Sequence, residues 1–230
     1  MLQLEGTLTV VQAADRLGVA RSTAHRLLQM LVYRDFAAQD EDRVYHAGPV
    51  LQLAEHSRSR TARLRTVALP HLRRIVDVVG ESANLTIRTG ADARFIASVE
   101  SAQALRVTSR EGMVFPAHRT TGGLLLLAEL TPGELATAYA GEREDPADVP
   151  DLAKLRTELA RIRRQGFAVN LGRSEKGVVA VGVPVRAEDG TALAGLSVSM
   201  PSVRYDRERL PALVAALHKA AGGVEAAMED

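Results

Sequence analysis

The sequence predicts an α+β fold in three parts: an N-terminal winged helix-turn-helix over 1–55, a linker helix over 56–68 and a C-terminal domain with an antiparallel sheet over 69–230. Three observations predict it. Two short amphipathic patterns flank Gly18 near the start. A polar, basic stretch, HSRSRTARLR, covers 56–65. From Asn84 onward, strand and helix patterns mix without regular alternation, which argues against a doubly wound parallel sheet.

The elements follow in order. Thr9 to Leu17 reads as a short helix, with Thr9 as N-cap and Val10, Ala13, Ala14 and Leu17 spaced along one face. Gly18 breaks it. Ala20 to Tyr33 is a second helix: Ala24, Leu27, Leu28 and Leu31 form an apolar stripe, and Arg21, Ser22, His25, Arg26 and Gln29 take the other face. Phe36–Ala38 and Arg43–His46 read as two strands around the polar turn Gln39–Asp42, a wing closed by Gly48 and Pro49. Val50 to about Val79 is helical, with a break expected near Pro70.

In the larger part, Asn84–Thr89 and Ala93–Val99 read as strands around a Gly90-Ala91-Asp92 turn, and Leu105–Ser109 as a further strand. Thr120–Leu130 is an apolar helix, and Thr131-Pro132-Gly133-Glu134 begins another. Residues 141–150 are a loop. Asp151–Gln165 is amphipathic through Leu152, Leu155, Leu159 and Ile162, and Gly166 ends it. Val178–Val185 and Ala192–Met200 are strands around Glu188-Asp189-Gly190, and Arg207–Met228 is a final helix interrupted at Gly222-Gly223.

Composition narrows the function. The hydrophobic fraction is 46%, enough for a real core, but aromatics are 3% and Trp is absent, so Leu, Val and Ala must build it. With no Cys, disulfides, thiolate catalysis and Cys-based zinc sites are excluded. Apolar runs such as Leu124–Ala128 fall far short of the ~20 residues of a membrane span. No basic-then-apolar leader is visible at the start, so a cytoplasmic location is expected. Net charge is +1, unevenly spread. Residues 1–74 carry eleven Arg, no Lys and seven acidic residues; the remainder carries eighteen basic and twenty-one acidic residues. Arginine forks suit phosphate and guanine edges, whereas the competing reading is a solvated face.

Four segments, in order and nearly spanning the chain, resemble the IclR family of bacterial regulators. They are LTVVQAADRLGVARSTAHRLLQML with the wing RVYHAGPVLQLA; ESANLTIRTGADARFIASVESAQALR; GMVFPAHRTTGGLLLLAEL; and the stretch from RRQGFAVN through GVVAVGVPVRAEDGTALAGLSVSMP. The resemblance implies a GAF-like effector-binding and oligomerising domain behind the linker helix. It also implies homodimers, often paired as tetramers, on palindromic double-stranded DNA operators. Members usually have a full helix before the helix-turn-helix; only Met1–Gly6 precede it here, so the start is expected to be truncated or to lack that helix. The family usually places Lys where Leu124 stands, and often acids at Asn170, Gly172 and Arg173, so the effector is expected to differ from that of the best-known members.

In a helix-turn-helix the second helix lies in the major groove with its N-terminal residues at base edges. Arg21, Ser22, Thr23, His25 and Arg26 are the candidates, with Thr9 and Gln12 on the DNA backbone and Arg43 and Tyr45 in the wing. Competing readings are that Arg21 or Ser22 simply begins the helix and that Arg26 pairs internally with Asp15 or another acid of the domain. For the effector, the resemblance implies a wall of Ala104, Val107, Phe115, Thr121, Gly122, Asn170, Ala180, Ser197 and Ser199. Ser197 and Ser199 share one strand face inside an apolar run, so their hydroxyls need partners: a ligand, backbone or solvent. Thr120 to Gly123 open an apolar helix, as an anion site or a plain cap, and Arg119 suits an acidic effector or a surface position. The expected effector is a small organic or aromatic acid or related metabolite.

Two rival classes remain at this point. One is a DNA-binding protein whose larger domain only oligomerises. The other is a hydrolase using Ser197 or Ser199 with His118, but no G-x-S-x-G elbow surrounds either serine. No His pair has zinc-site spacing, and neither a P-loop nor G-x-G-x-x-G occurs. A non-enzyme without metal or cofactor is expected.

Overall fold

The computed structural model describes residues 7–34, 36–40, 42–140 and 148–229, with backbone alone for 49–59. Met1–Gly6, Glu41 within the wing turn, most of the 141–150 loop, and the side chains of 56–59 in the basic linker stretch lie outside the described residues. The chain divides into two compact units, Met1–Ala62 and Arg63–Asp230. Their boundary falls within the segment expected as linker.

In the first unit, α1 (Val10–Leu17) begins at Thr9, where Thr9 and Gln12 form a reciprocal capping box, and ends at Gly18 in the left-handed region at φ 63°. α2 spans Arg21–Tyr33. The wing pairs β2 (Ala37–Gln39) with β3 (Tyr45–Ala47), and an unforeseen β1 (Thr7–Leu8) adds to the free side of β3, giving the order β1-β3-β2. The core is small: Leu8, Ala13, Ala14, Ala24, Leu28, Ala37 and Tyr45. Ala13, Ala14 and Ala24 let the helices approach closely. The expected stripe on α2 is narrower than its periodicity suggests, because Leu27 and Leu31 are exposed at 37% and 40% while Ala24 and Leu28 are buried.

In the second unit, a six-stranded antiparallel sheet has the order β6-β5-β4-β9-β8-β7. Its strands are β4 (Ser82–Thr89), β5 (Asp92–Val99), β6 (Val114–Pro116), β7 (Ala168–Leu171), β8 (Val178–Arg186) and β9 (Ala192–Pro201). Alternation gives the sheet two unlike faces. One presents Leu85, Val181, Val183, Leu196 and Val198, packed by Leu72, Ile75 and Val76 of α3 (Pro49–Val79) and by Leu217 and Val224 of a C-terminal helix, Leu210–Glu229. The other is covered in part by α4 (Thr121–Leu127), which forms a second core with α5 (Pro132–Ala138) and α6 (Leu152–Gln165). The C-terminal helix is α7.

Several expectations change. α3 runs unbroken through Pro70 for 31 residues. Pro70 and Thr66, whose carbonyl it cannot bond, both lie on the exposed side, while Leu64, Ala68 and Leu72 hold the helix to the sheet. α7 is likewise continuous through Gly222-Gly223. A Cβ on Gly223 would come within 2.5 Å of the His71 imidazole, so this glycine serves close helix contact rather than a break. Leu105–Ser109 is not a strand: Glu100 fixes the stretch by accepting from the Arg106 guanidinium at 2.7 Å and the Ser109 amide at 2.9 Å. α4 starts at Thr121 and ends at Leu127, three residues short of the expected end. The short edge strands β6 and β7 were not expected.

Candidate nucleic-acid interface and effector site

On α2 the polar face is presented as a unit. Arg21, Ser22, His25 and Arg26 are exposed and Thr23 is half-buried. Arg21 and His25 stand one turn apart on the same side. Arg26 forms no ion pair with Asp15 among the described residues. Arg21 is the first helical residue, and Ala20 before it caps through backbone alone, so no side chain at this end is spent on capping. Thr9 and Gln12 are held by each other, with the Thr9 amide donating to Gln12 Oε1 at 2.8 Å.

The wing separates its two candidates. Arg43 is exposed at the turn, in the left-handed region at φ 60°. Asp40 builds that turn: its Oδ1 accepts from the Val44 amide at 2.8 Å, and its Oδ2 lies 2.6 Å from His46 Nε2. These contacts, the histidine first, hold the Asp40 carboxyl below the usual carboxylate range. Tyr45 is a correction. It is fully buried, because its strand position points into the small core, and its phenol oxygen accepts from Gln29 Nε2 at 3.0 Å. It supports the wing and does not reach DNA.

In the second unit, the face of the sheet opposite α3 carries a polar floor. Register aligns Ser82, Ser199, Ala180 and Asn170 in one row across β4, β9, β8 and β7. A second row aligns Ser98, Asn84, Ser197 and Gly182. Ser98 donates to Asn84 Oδ1 at 2.8 Å, and Asn84 Nδ2 donates to Ser199 Oγ at 3.2 Å. Ser197 is 3% exposed and its hydroxyl has no partner among the described residues. Nearby, Thr121 and Thr86 have buried hydroxyls without partners. Unbonded buried polar atoms are costly, and these two lie where α4 packs closely on the sheet, a Cβ on Gly122 meeting Thr86 at 2.6 Å.

The remaining effector candidates scatter in role. Asn170 is buried and bridges Arg119 and Arg173, donating to the Arg119 carbonyl at 2.6 Å and accepting from the Arg173 amide at 3.0 Å. Arg119 itself lies 3.3 Å from Asp148. Thr120 caps α4 through the Gly123 amide at 3.0 Å. Gly122 is taken up by packing: a Cβ on Gly195 would lie 2.5 Å from its Cα. Val107 is buried, Phe115 half-buried and Ala104 exposed. Sequence reasoning missed Ser82, Asn84 and Ser98, although Ser82, Asn84 and Thr86 at period two were a readable signal. It also missed Arg110 and Glu175, whose pairing across 65 residues leaves no local pattern.

Two depressions lie elsewhere in this unit and include no expected effector residue. One of about 390 Å³ is bordered by Arg88, Glu129 and Glu134, and one of about 200 Å³ by Glu81, Arg204 and Arg209. The imagined hydrolytic partner His118 sits instead against Tyr139, its Nδ1 3.4 Å from the phenol oxygen. No helix among the described residues is long and apolar enough to cross a membrane.

Comparison with known proteins gives consistent findings. Residues 56–226 match the model described as bacterial transcriptional regulator IclR C-terminal, and residues 2–41 match the IclR helix-turn-helix domain. The regulator BhcR of Paracoccus denitrificans is 32% identical over 225 residues, covering 96% of this chain and 81% of that protein. The Thermotoga maritima IclR structure superposes with a TM-score of 0.65 at 25% identity, over 99% of this chain and 93% of that one. An IclR homolog from Microbacterium hydrocarbonoxydans, solved with 4-hydroxybenzoate, superposes with a TM-score of 0.64 at 28% identity, over 98% and 93%.

Proposed function

The chain belongs to the IclR family of bacterial transcriptional regulators, and from that premise we propose that α2 reads an operator in the major groove while the polar floor of the second unit binds a small acid that alters DNA affinity. The observation that carries the DNA half is the exposed face of Arg21, Ser22, His25 and Arg26, which form no ion pair among the described residues, on the second helix of the helix-turn-helix. Arg21 and His25 contact base edges. Arg43 at the wing tip contacts phosphate or the minor groove, and Thr9 and Gln12 touch the DNA backbone.

Effector control follows from linkage: a ligand changes operator affinity only if it binds two arrangements of the protein unequally. α3 contains the boundary between the units, and it carries the change to the spacing of two half-sites in a homodimer. The relative solved with 4-hydroxybenzoate supports a small acid as ligand. The protein works in the cytoplasm, as a dimer or a pair of dimers, and without catalysis. Selection of bound fragments from a random duplex library tests this reading. Enrichment of a palindrome supports it, and recovery of unrelated sequences counts against it.

A further inference from the structure

Arg110 is the most buried arginine among the ion pairs of the second unit's described residues, and only one of its donors is paired. Its side chain is 9% exposed, yet among the described residues it makes one hydrogen bond, from its Nη2 to Glu175 Oε2 at 2.6 Å. Glu175 is 62% exposed on its side chain. Elsewhere in the unit less buried arginines take forked partners: Arg173 donates to both Glu158 oxygens at 2.7 and 2.8 Å, and Arg204 to both Glu81 oxygens at 2.5 and 2.6 Å. A guanidinium offers five donors in a planar fork, and burying it with one donor paired is unfavourable. The Phe115 ring lies beneath it at 5.4 Å, and Phe95 meets Phe115 edge to face at 5.7 Å. The ring occupies the face of the guanidinium and leaves its edge.

The position of this pair is specific. Arg110 lies in the stretch 100–113 that follows β5, and Glu175 in the stretch 172–177 that follows β7. Strand order places β4, β9 and β8 between them. Both stretches are pinned to the polar floor. Ser82 donates to the Val107 carbonyl at 2.6 Å, and Asn170 accepts from the Arg173 amide at 3.0 Å. Ser82 and Asn170 are the two ends of one register row, Ser82–Ser199–Ala180–Asn170, which spans about 14 Å at ordinary strand spacing. The Arg110–Glu175 pair therefore joins the loops that border the floor at either end.

We propose that Arg110 anchors the carboxylate of an aromatic monocarboxylic acid bound over this floor, and that Glu175 occupies the guanidinium until the acid displaces it. The proposal rests on the effector reading above. The acid brings two oxygens in fork geometry, Phe115 and Phe95 flank its ring, and Ser197 supplies a hydroxyl without another partner.

Calorimetric titration of the full chain with benzoate, 4-hydroxybenzoate and uncharged benzamide tests it, together with a gel shift on a selected operator. Either acid is expected to bind more tightly than benzamide. Arg110→Gln is expected to weaken acid binding about ten- to a hundredfold, as for loss of a charged hydrogen-bonded pair. Glu175→Gln, at an exposed position where folding is not at stake, is expected to tighten it by up to about fivefold, the ceiling for an ion pair with one exposed partner. Equal acid binding by the wild type and a folded Arg110→Gln, unchanged or weaker binding by Glu175→Gln, preference for benzamide, or binding of neither acid would each overturn the anchor. Failure of the effector reading looks different: the acids bind through Arg110 but leave the operator complex unchanged.

Discussion

Gln29 Nε2 on α2 donates to the buried phenol oxygen of Tyr45 on β3 at 3.0 Å, and also reaches Gln39 Oε1 on β2 at 3.3 Å. One exposed glutamine thus ties α2 to both wing strands. The effect of breaking this tie is asymmetric. Gln29→Ala strands a buried hydroxyl and should destabilise the wing by about 1–3 kcal/mol, whereas Tyr45→Phe removes the hydroxyl itself and should cost about 0.5–1.5 kcal/mol. Hydrogen exchange at the β3 amides checks the order. Greater loss of protection in Tyr45→Phe would mean that packing, not the hydrogen bond, sets wing stability.

Glycine substitutions separate two kinds of close approach. A Cβ at Gly195 would meet Gly122 backbone at 2.5 Å, which cannot move without lifting α4 off the sheet. Gly195→Ala should cost about 1–3 kcal/mol or more. At Gly223 the obstacle is the His71 ring, a side chain that can rotate, and a helical Gly→Ala change returns up to about 1 kcal/mol. Thermal denaturation should place Gly195→Ala well below wild type and Gly223→Ala near it; the reverse order would contradict this packing.

The wing tip should loosen in acid. Contacts from His46 and the Val44 amide lower the Asp40 carboxyl pKa in the folded state. A depressed folded value means the stabilisation is present above the ordinary carboxylate range and is lost as pH falls through the folded value. Val44 amide protection should be flat from neutral pH down to that range and fall below it; loss already near pH 6 would point to another group.

Arg43 and Arg21 should fail differently. On the proposed reading with Arg43 at a phosphate, Arg43→Ala should weaken binding to all duplexes alike and reduce the salt slope by about one. If it instead changed the preferred sequence, the wing would be reading bases.

Local patterns carried the helix-turn-helix and the outer helices. Thr9, Gly18, Asp151 and Gly166 mark helix ends whose chemistry depends only on neighbours in sequence. They failed where distant packing decides. Pro70 and Gly223 are breakers by propensity, yet their helices run on without interruption, α3 packed on the sheet and Gly223 against His71. Tyr45 reads as a wing residue until β1 and Gln29 enclose it. The polar floor was half legible: Ser197 and Ser199 stood out by alternation, but their opposite numbers Asn84 and Ser82 depend on register across more than a hundred residues.

The most direct test of groove reading by α2 is fluorescence anisotropy with Arg21→Ala, on a selected operator and a scrambled duplex at one salt concentration. The account predicts loss of about 1–3 kcal/mol in discrimination between them, as for one bidentate base contact, with secondary structure and oligomeric state unchanged. Operator preference equal to wild type in the folded variant would contradict it.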